Sequence, residues 1–134
     1  MDFKELHLEA IMIPANVEEL LKEEVMWDME FPPFSISVVE TAHKGKDLLT
    51  WALEFSPAFD FDEVNELLED RGHDPDSYGW TDYLMQYIVK NYPKAADRIN
   101  EDGDADSVVF YTFSKADFSG MLKIISEAIR ELYA

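Results

Sequence analysis

Phe34-Ser35-Ile36-Ser37-Val38-Val39-Glu40 and Leu49-Thr50-Trp51-Ala52-Leu53-Glu54-Phe55, with His43-Lys44-Gly45-Lys46 between them, decide the fold class of this chain. Each run alternates. Phe34, Ile36 and Val38 share one side of the first, and Leu49, Trp51, Leu53 and Phe55 share one side of the second, so both predict strands with a single apolar face. The glycine between them allows the tight reversal of an antiparallel hairpin. By the same alternation Glu54 points away from the core, the solvated position for a carboxylate. His43, Lys44 and Lys46 give the hairpin a small basic tip, a solvated end on an acidic molecule.

Upstream, Phe31-Pro32-Pro33 cannot continue a helix. Asp2 and Glu5, with Phe3, Leu6, Ala10 and Ile13, predict a first helix stopping before Pro14, although Leu6, Leu8 and Ala10 also alternate as in a strand. Asn16 and Glu19 form a capping-box pattern ahead of Val17, Leu20, Leu21 and Val25, which predicts a second helix over Val17–Val25. Residues 1–30 therefore read as a helical N-terminal extension packed on an α+β body.

Downstream, Asp60 as N-cap, Glu63 three residues on and Phe59 stapled to Val64 predict a helix that buries Phe61, Val64, Leu67 and Leu68 and ends at Gly72. Trp80, Tyr83, Leu84, Tyr87 and Ile88 form the stripe of another helix, which Pro93 ends or follows with a short turn. Asn100–Asp106 reads as an acidic loop and Ser107–Phe113 as a third strand. Ser114 caps a last helix, with Asp117 near its positive end and Phe118, Met121, Leu122, Ile125, Ile129 and Leu132 on one apolar stripe. The expected architecture is a single α+β domain over residues 1–134, in the order ααββααβα, with helices over one face of a short antiparallel sheet of about three strands.

The 134 residues are 47% apolar and 13% aromatic, a composition that folds rather than one that stays disordered. There is no cysteine, which excludes disulfides, thiolate metal sites and cysteine nucleophiles. Against 29 Asp and Glu stand 11 Lys and Arg, a formal charge of -18, where roughly 2–8 in magnitude serves solubility. Two readings fit this excess: a surface that meets a cationic protein, or a well-solvated surface typical of an acidic proteome. Both disfavour nucleic acid and membranes as partners. The acidic start Met1-Asp2-Phe3-Lys4-Glu5 and the lack of a long apolar run point to the cytoplasm.

Catalytic and metal signatures are weak. Asp102-Gly103-Asp104-Ala105-Asp106 opens like a calcium loop, but Ser107 and Phe113 stand where the sharp-turn glycine and the bidentate glutamate belong. His7, His43 and His73 lie in separate segments without ligand spacing, and no nucleophile elbow or phosphate-cradling glycine loop occurs. The chain is expected to be non-enzymatic, without metal or cofactor. Tyr78 and Tyr92, at the ends of the aromatic helix, are interface candidates, whereas Trp80, Tyr83 and Tyr87 have core spacing.

Tyr78-Gly79-Trp80 opening a helix, Leu84 within it, Pro93 before Ile99, an acidic turn into Phe110-Tyr111-Thr112-Phe113-Ser114 and a final amphipathic helix together give Gly72–Ile129 a recognisable pattern. This stretch, a little under half the chain, resembles the bacterial polymorphic-toxin immunity family numbered fifty-one, whose motif tryptophan corresponds to Trp80. Met1 to Glu30 lie outside the resemblance. It implies a small α+β protein, encoded beside a secreted toxin, that binds and neutralises that toxin inside the producing cell. Many such toxins are nucleases with basic grooves, in which acidic side chains can stand in for phosphates. On this reading Asp74, Asp76, Tyr78, Asp102, Asp104 and Asp106 are the expected contacts, and the protein is a monomer or a weak homodimer. The alternative is a regulatory or adaptor module that binds another protein through the hairpin edge or the N-terminal helices.

Overall fold

The computed structural model describes residues 2–23 and 26–134, apart from the His43 side chain. The strands are β1 Met26–Phe31, β2 Phe34–His43, β3 Lys46–Phe55, β4 Asn100–Glu101 and β5 Val108–Thr112, in one sheet of order β1-β2-β3-β5-β4. Every pairing is antiparallel. The helices are α1 Val17–Leu20, α2 Asp62–Asp70, α3 Ser77–Asn91, α4 Pro93–Ala96 and α5 Lys115–Glu131, preceded by single 3-10 turns at Phe3–Glu5 and Leu8–Ala10.

The hairpin forms as its alternation requires. Phe34, Ile36 and Val38 of β2 and Trp51, Leu53 and Phe55 of β3 are buried together, and Lys44 and Gly45 both take positive φ in the two-residue reversal. Glu54 is exposed on the opposite face.

The sheet has five strands rather than the expected three or so. β1 was missed although Trp27, Met29 and Phe31 alternate with Met26, Asp28 and Glu30, and they pair with Val38, Ile36 and Phe34 of β2. Its methionines and acids are poor strand formers, so pairing and burial place it there rather than propensity. β4 consists of Asn100 and Glu101, which the sequence reading assigned to the acidic loop. They are held by pairing with Tyr111 and Phe110 of β5.

The order ααββααβα is corrected at its start. Phe3, Leu6, Leu8 and Ile11 are buried, and that spacing fits no single helical stripe, so two 3-10 turns replace the first helix. The buried Leu8 N–H donates to Ser126 Oγ of α5 at 2.8 Å, which fixes this segment against the final helix. The second helix is one turn long, with Val17 and Leu21 buried and Leu20 exposed; Val25, the last residue of that expectation, lies outside the described residues. The described residues of 1–30, a segment read as a helical extension, thus hold three short turns and most of β1.

The cap expected at Asp60 is not formed either. α2 begins at Asp62 behind Phe61, Asp60 sits at φ 62°, and Phe59 is exposed instead of stapled. Burial of Phe61 sets this register. Its ring centroid lies 4.9 Å from Phe3, 5.9 Å from Phe34, 5.0 Å from Phe55 and 5.7 Å from Trp80. Aromatic pairs of this kind contribute about 0.5–1.5 kcal/mol each beyond area burial, comparable with or above a typical N-cap bond of about 1 kcal/mol, and Phe61 makes four of them.

α5 follows its stripe, with Ser114 Oγ accepting from the Asp117 N–H at 3.1 Å and Phe118, Met121, Leu122, Ile125, Ile129 and Leu132 buried. It is tied to α3 through Glu127. The hydroxyls of Tyr92 and Tyr87 both donate to Glu127 Oε2, at 2.6 and 2.8 Å. The Tyr92 bond, joined by that of Tyr87, holds the Glu127 carboxyl below its usual range against the opposing effect of burial. Such a group stabilises the fold above its unfolded pKa and ceases to do so as pH falls through the lowered folded value. The stability penalty of Glu127→Gln in urea denaturation should therefore be largest above about pH 5 and shrink below about pH 4. A penalty constant from neutral pH down to about pH 3 would contradict this role.

Candidate functional site

The first turn of α3 carries the sequence motif, and each of its three residues has a separate task. Tyr78 projects into solvent, 62% exposed. A Cβ on Gly79 would collide with the backbone carbonyl of Asp74, so only glycine lets the Asp74–Asp76 turn fold back over the helix start. Trp80 is fully buried against Phe55 and Phe61, and its Nε1–H donates to Asn65 Oδ1 at 2.7 Å. Asn65 Nδ2 in turn donates to the Pro57 carbonyl at 2.9 Å, so the helix start is fastened to α2 and to the loop after β3. Asp76 is the N-cap, its Oδ1 accepting from the Gly79 N–H at 2.8 Å.

The acidic loop between β4 and β5 is also ordered from within. Asp104 Oδ1 accepts from the N–H groups of Asp106 and Ser107, both at 2.9 Å, and the Asp104 N–H donates to the Ser107 carbonyl at 3.0 Å. Gly103 again leaves room for backbone, since a Cβ there would come within 2.6 Å of the Ser107 carbonyl oxygen. The buried Ser77 hydroxyl then donates to the Asp104 carbonyl at 2.6 Å. That bond joins two segments 27 residues apart in the chain.

The Ser77–Asp104 bond thus sets the loop and helix start that carry Asp74, Asp76 and Tyr78 against the loop that carries Asp102, Asp104 and Asp106. All five carboxylates are exposed. They are not equivalent: Asp76 and Asp104 each spend one oxygen on backbone, whereas Asp74, Asp102 and Asp106 make no side-chain hydrogen bond among the described residues. None of the five forms an ion pair there; the pairs found are His7 with Glu9 and Arg98 with Asp117. The acidic tract continues past Ser107 into a groove of about 330 Å³ lined by Glu30, Ser35, Glu54 and the Pro32-Pro33 turn. Glu30, Ser35 and Glu54 are neighbours across β1, β2 and β3, so both glutamates rise from the uncovered face of the sheet. Sequence reading missed these two as part of the tract, because their proximity depends on β1.

Tyr92, the second aromatic interface candidate, is half-buried with its hydroxyl bound to Glu127 and does not belong to this corner. Among the described residues no group of three or more His, Asp or Glu has a metal-holding arrangement, and no helix is long and apolar enough to cross a membrane. The body of the hairpin is flanked on both sides, by β1 and by β5.

The two kinds of glycine give a paired test. Gly79→Ala should cost about 1–3 kcal/mol in urea denaturation, as an overpacked site does. Gly120→Ala, where nothing lies within 4 Å of the new Cβ in the middle of α5, should add about 0.5–1 kcal/mol. Equal effects at the two positions would show that the Asp74 turn does not press on the helix start.

No family model, curated protein or solved structure matches this chain.

Proposed function

We propose that this protein is an immunity-type inhibitor that binds a cognate toxin with a basic surface, a nuclease foremost, inside the bacterium that makes both. The observation that carries the reading is the Ser77–Asp104 bond, which assembles two acidic loops into one corner beside an exposed tyrosine. Three of its carboxylates are unengaged, and the chain as a whole has a formal charge of -18. Carboxylates carried on ordered loops can occupy a groove that evolved for phosphates, and an exposed aromatic ring beside them supplies the apolar anchor typical of tight interfaces. The long-range field accelerates encounter with a cationic partner and fades with salt. The resemblance of Gly72–Ile129 to an immunity family supports the same reading, and its Tyr78-Gly79-Trp80 pattern follows directly on Ser77. The adaptor alternative draws less support, because neighbouring strands occupy both sides of the hairpin body.

The test is co-expression with the product of the adjacent gene, scored for growth and for a co-purifying complex, followed by association kinetics. The triple variant Asp74→Lys, Asp102→Lys, Asp106→Lys replaces only carboxylates without internal bonds. It should associate at least ~10-fold more slowly near 50 mM salt, with the deficit narrowing near 500 mM. Unchanged association at low salt would remove the acidic corner from the interface. Absence of both rescue and complex would count against the inhibitor reading itself.

A further inference from the structure

β1 is the long free edge of the sheet. It is terminal in the strand order with β2 as its neighbour, whereas the opposite edge, β4, is two residues long. All six residues of Met26–Phe31 pair with β2 in continuous register without a bulge, and no proline or lysine stands among them. In an antiparallel strand every second residue turns its N–H and C=O away from its neighbour. Among the described residues no backbone group of a turn, loop or cap hydrogen-bonds to this outer side. Prolines, lysines, bulges or a covering segment commonly blunt such an edge, and β1 has none of them within its span.

The two faces of β1 differ in chemistry. Trp27, Met29 and Phe31 lie on the core side, opposite Val38, Ile36 and Phe34, with Trp27 and Met29 half-buried and Phe31 exposed. Phe31 also lines a groove of about 290 Å³ with Asp2, Glu5, Leu6, His7 and Leu8. Met26, Asp28 and Glu30 lie on the uncovered face and are exposed. Neither carboxylate forms an ion pair among the described residues.

This alternation selects the occupant. A strand added at the edge sets one row of side chains beside Trp27, Met29 and Phe31 and the other row beside Asp28 and Glu30. Like charges across strands repel and opposite charges attract. A second copy paired antiparallel through the same edge would bring its own Asp28 and Glu30 onto this face, between two bodies of charge -18 each. A basic strand meets complementary charge instead.

We propose that the β1 edge binds an extended segment of a partner protein in which Lys or Arg alternates with apolar residues, adding a sixth strand to the sheet. Its main chain pairs with the outward groups of β1, its apolar side chains extend the cover over Trp27, Met29 and Phe31, and its cations meet Asp28 and Glu30. The proposal goes beyond the acidic corner and does not rest on the inhibitor reading.

The test is titration of the full chain with a capped hexapeptide of alternating Lys and Val, followed by amide shifts in ¹⁵N–¹H spectra at about 150 mM salt, where long-range attraction is screened. Saturable shifts should centre on Met26–Phe31, with a dissociation constant below about 1 mM. A peptide of the same composition with its Lys and Val in two separate blocks should bind at least ~5-fold more weakly, since it cannot present one row to each face. Two N-methylated versions, one at the lysines and one at the valines, each lose the donors of one peptide edge, and at least one of them should bind at least ~10-fold more weakly. Asp28→Lys with Glu30→Lys should weaken binding at least ~5-fold, and Asp74→Lys with Asp102→Lys and Asp106→Lys should weaken it less, although it changes the net charge more. The proposal is overturned by shifts centred on Asp102–Ser107 instead of β1, by the block peptide or both N-methylated peptides binding as well as the parent, by the corner variant weakening binding as much as the edge variant, or by concentration-dependent self-association through Met26–Phe31 without peptide, which would give the edge to a second copy.

Discussion

Phe61 is the contact on which the arrangement of this protein turns. Its buried ring meets Phe3 of the N-terminal turn, Phe34 of β2, Phe55 of β3 and Trp80 of α3, so one side chain links the start of the chain, the sheet and the helical layer. The cost is local and visible: Asp60 is forced to positive φ, Phe59 is left in solvent and α2 starts without a side-chain cap. Glu63, freed from a capping box, lies instead beside the Tyr133 hydroxyl. Burial first, and that carboxylate with it, push the tyrosine pKa up to about 12.

The acidic corner is built outward from this centre. Trp80 packs on Phe61, Trp80 binds Asn65, and the helix turn that carries Trp80 also carries Ser77, which draws in the Asp104 loop. Like charges brought together repel, and in a chain of -18 that repulsion opposes the compact state. The loops hold because their close approaches are made by backbone: carbonyls fill the spaces beside Gly79 and Gly103, and N–H groups bind the carboxylates of Asp76 and Asp104. A negative surface held in this way loses little freedom on binding, which favours affinity at a given contact area.

Much of this could be read from residues alone where one pattern ruled. The β2–β3 hairpin and α5 have unmixed periods, and both form as their stripes require. The joining of the Asp74–Asp76 turn to the Asp102–Asp106 loop had no local signal, because Ser77 reads as an ordinary helix-start residue until its partner 27 positions away is known. Failures came where local and tertiary preferences compete. The strong cap pattern at Asp60 yields to burial of Phe61, and the alternation in Trp27, Met29 and Phe31 was masked by residues with little strand preference. At the N-terminus the buried spacing of Phe3, Leu6, Leu8 and Ile11 is neither helical nor extended, and its structure comes from docking on α5 through Ser126.

The central claim is that the two loops that carry the carboxylates of this corner are held in place before any partner arrives. Backbone ¹⁵N relaxation tests it directly in the free protein. Amides of Asp74–Gly79 and Asp102–Ser107 should show order parameters near 0.85, equal to those of α3 and α5. Values below about 0.6 in either loop, with rigid helices around them, would mean that the corner is a flexible acidic fringe and would contradict the account.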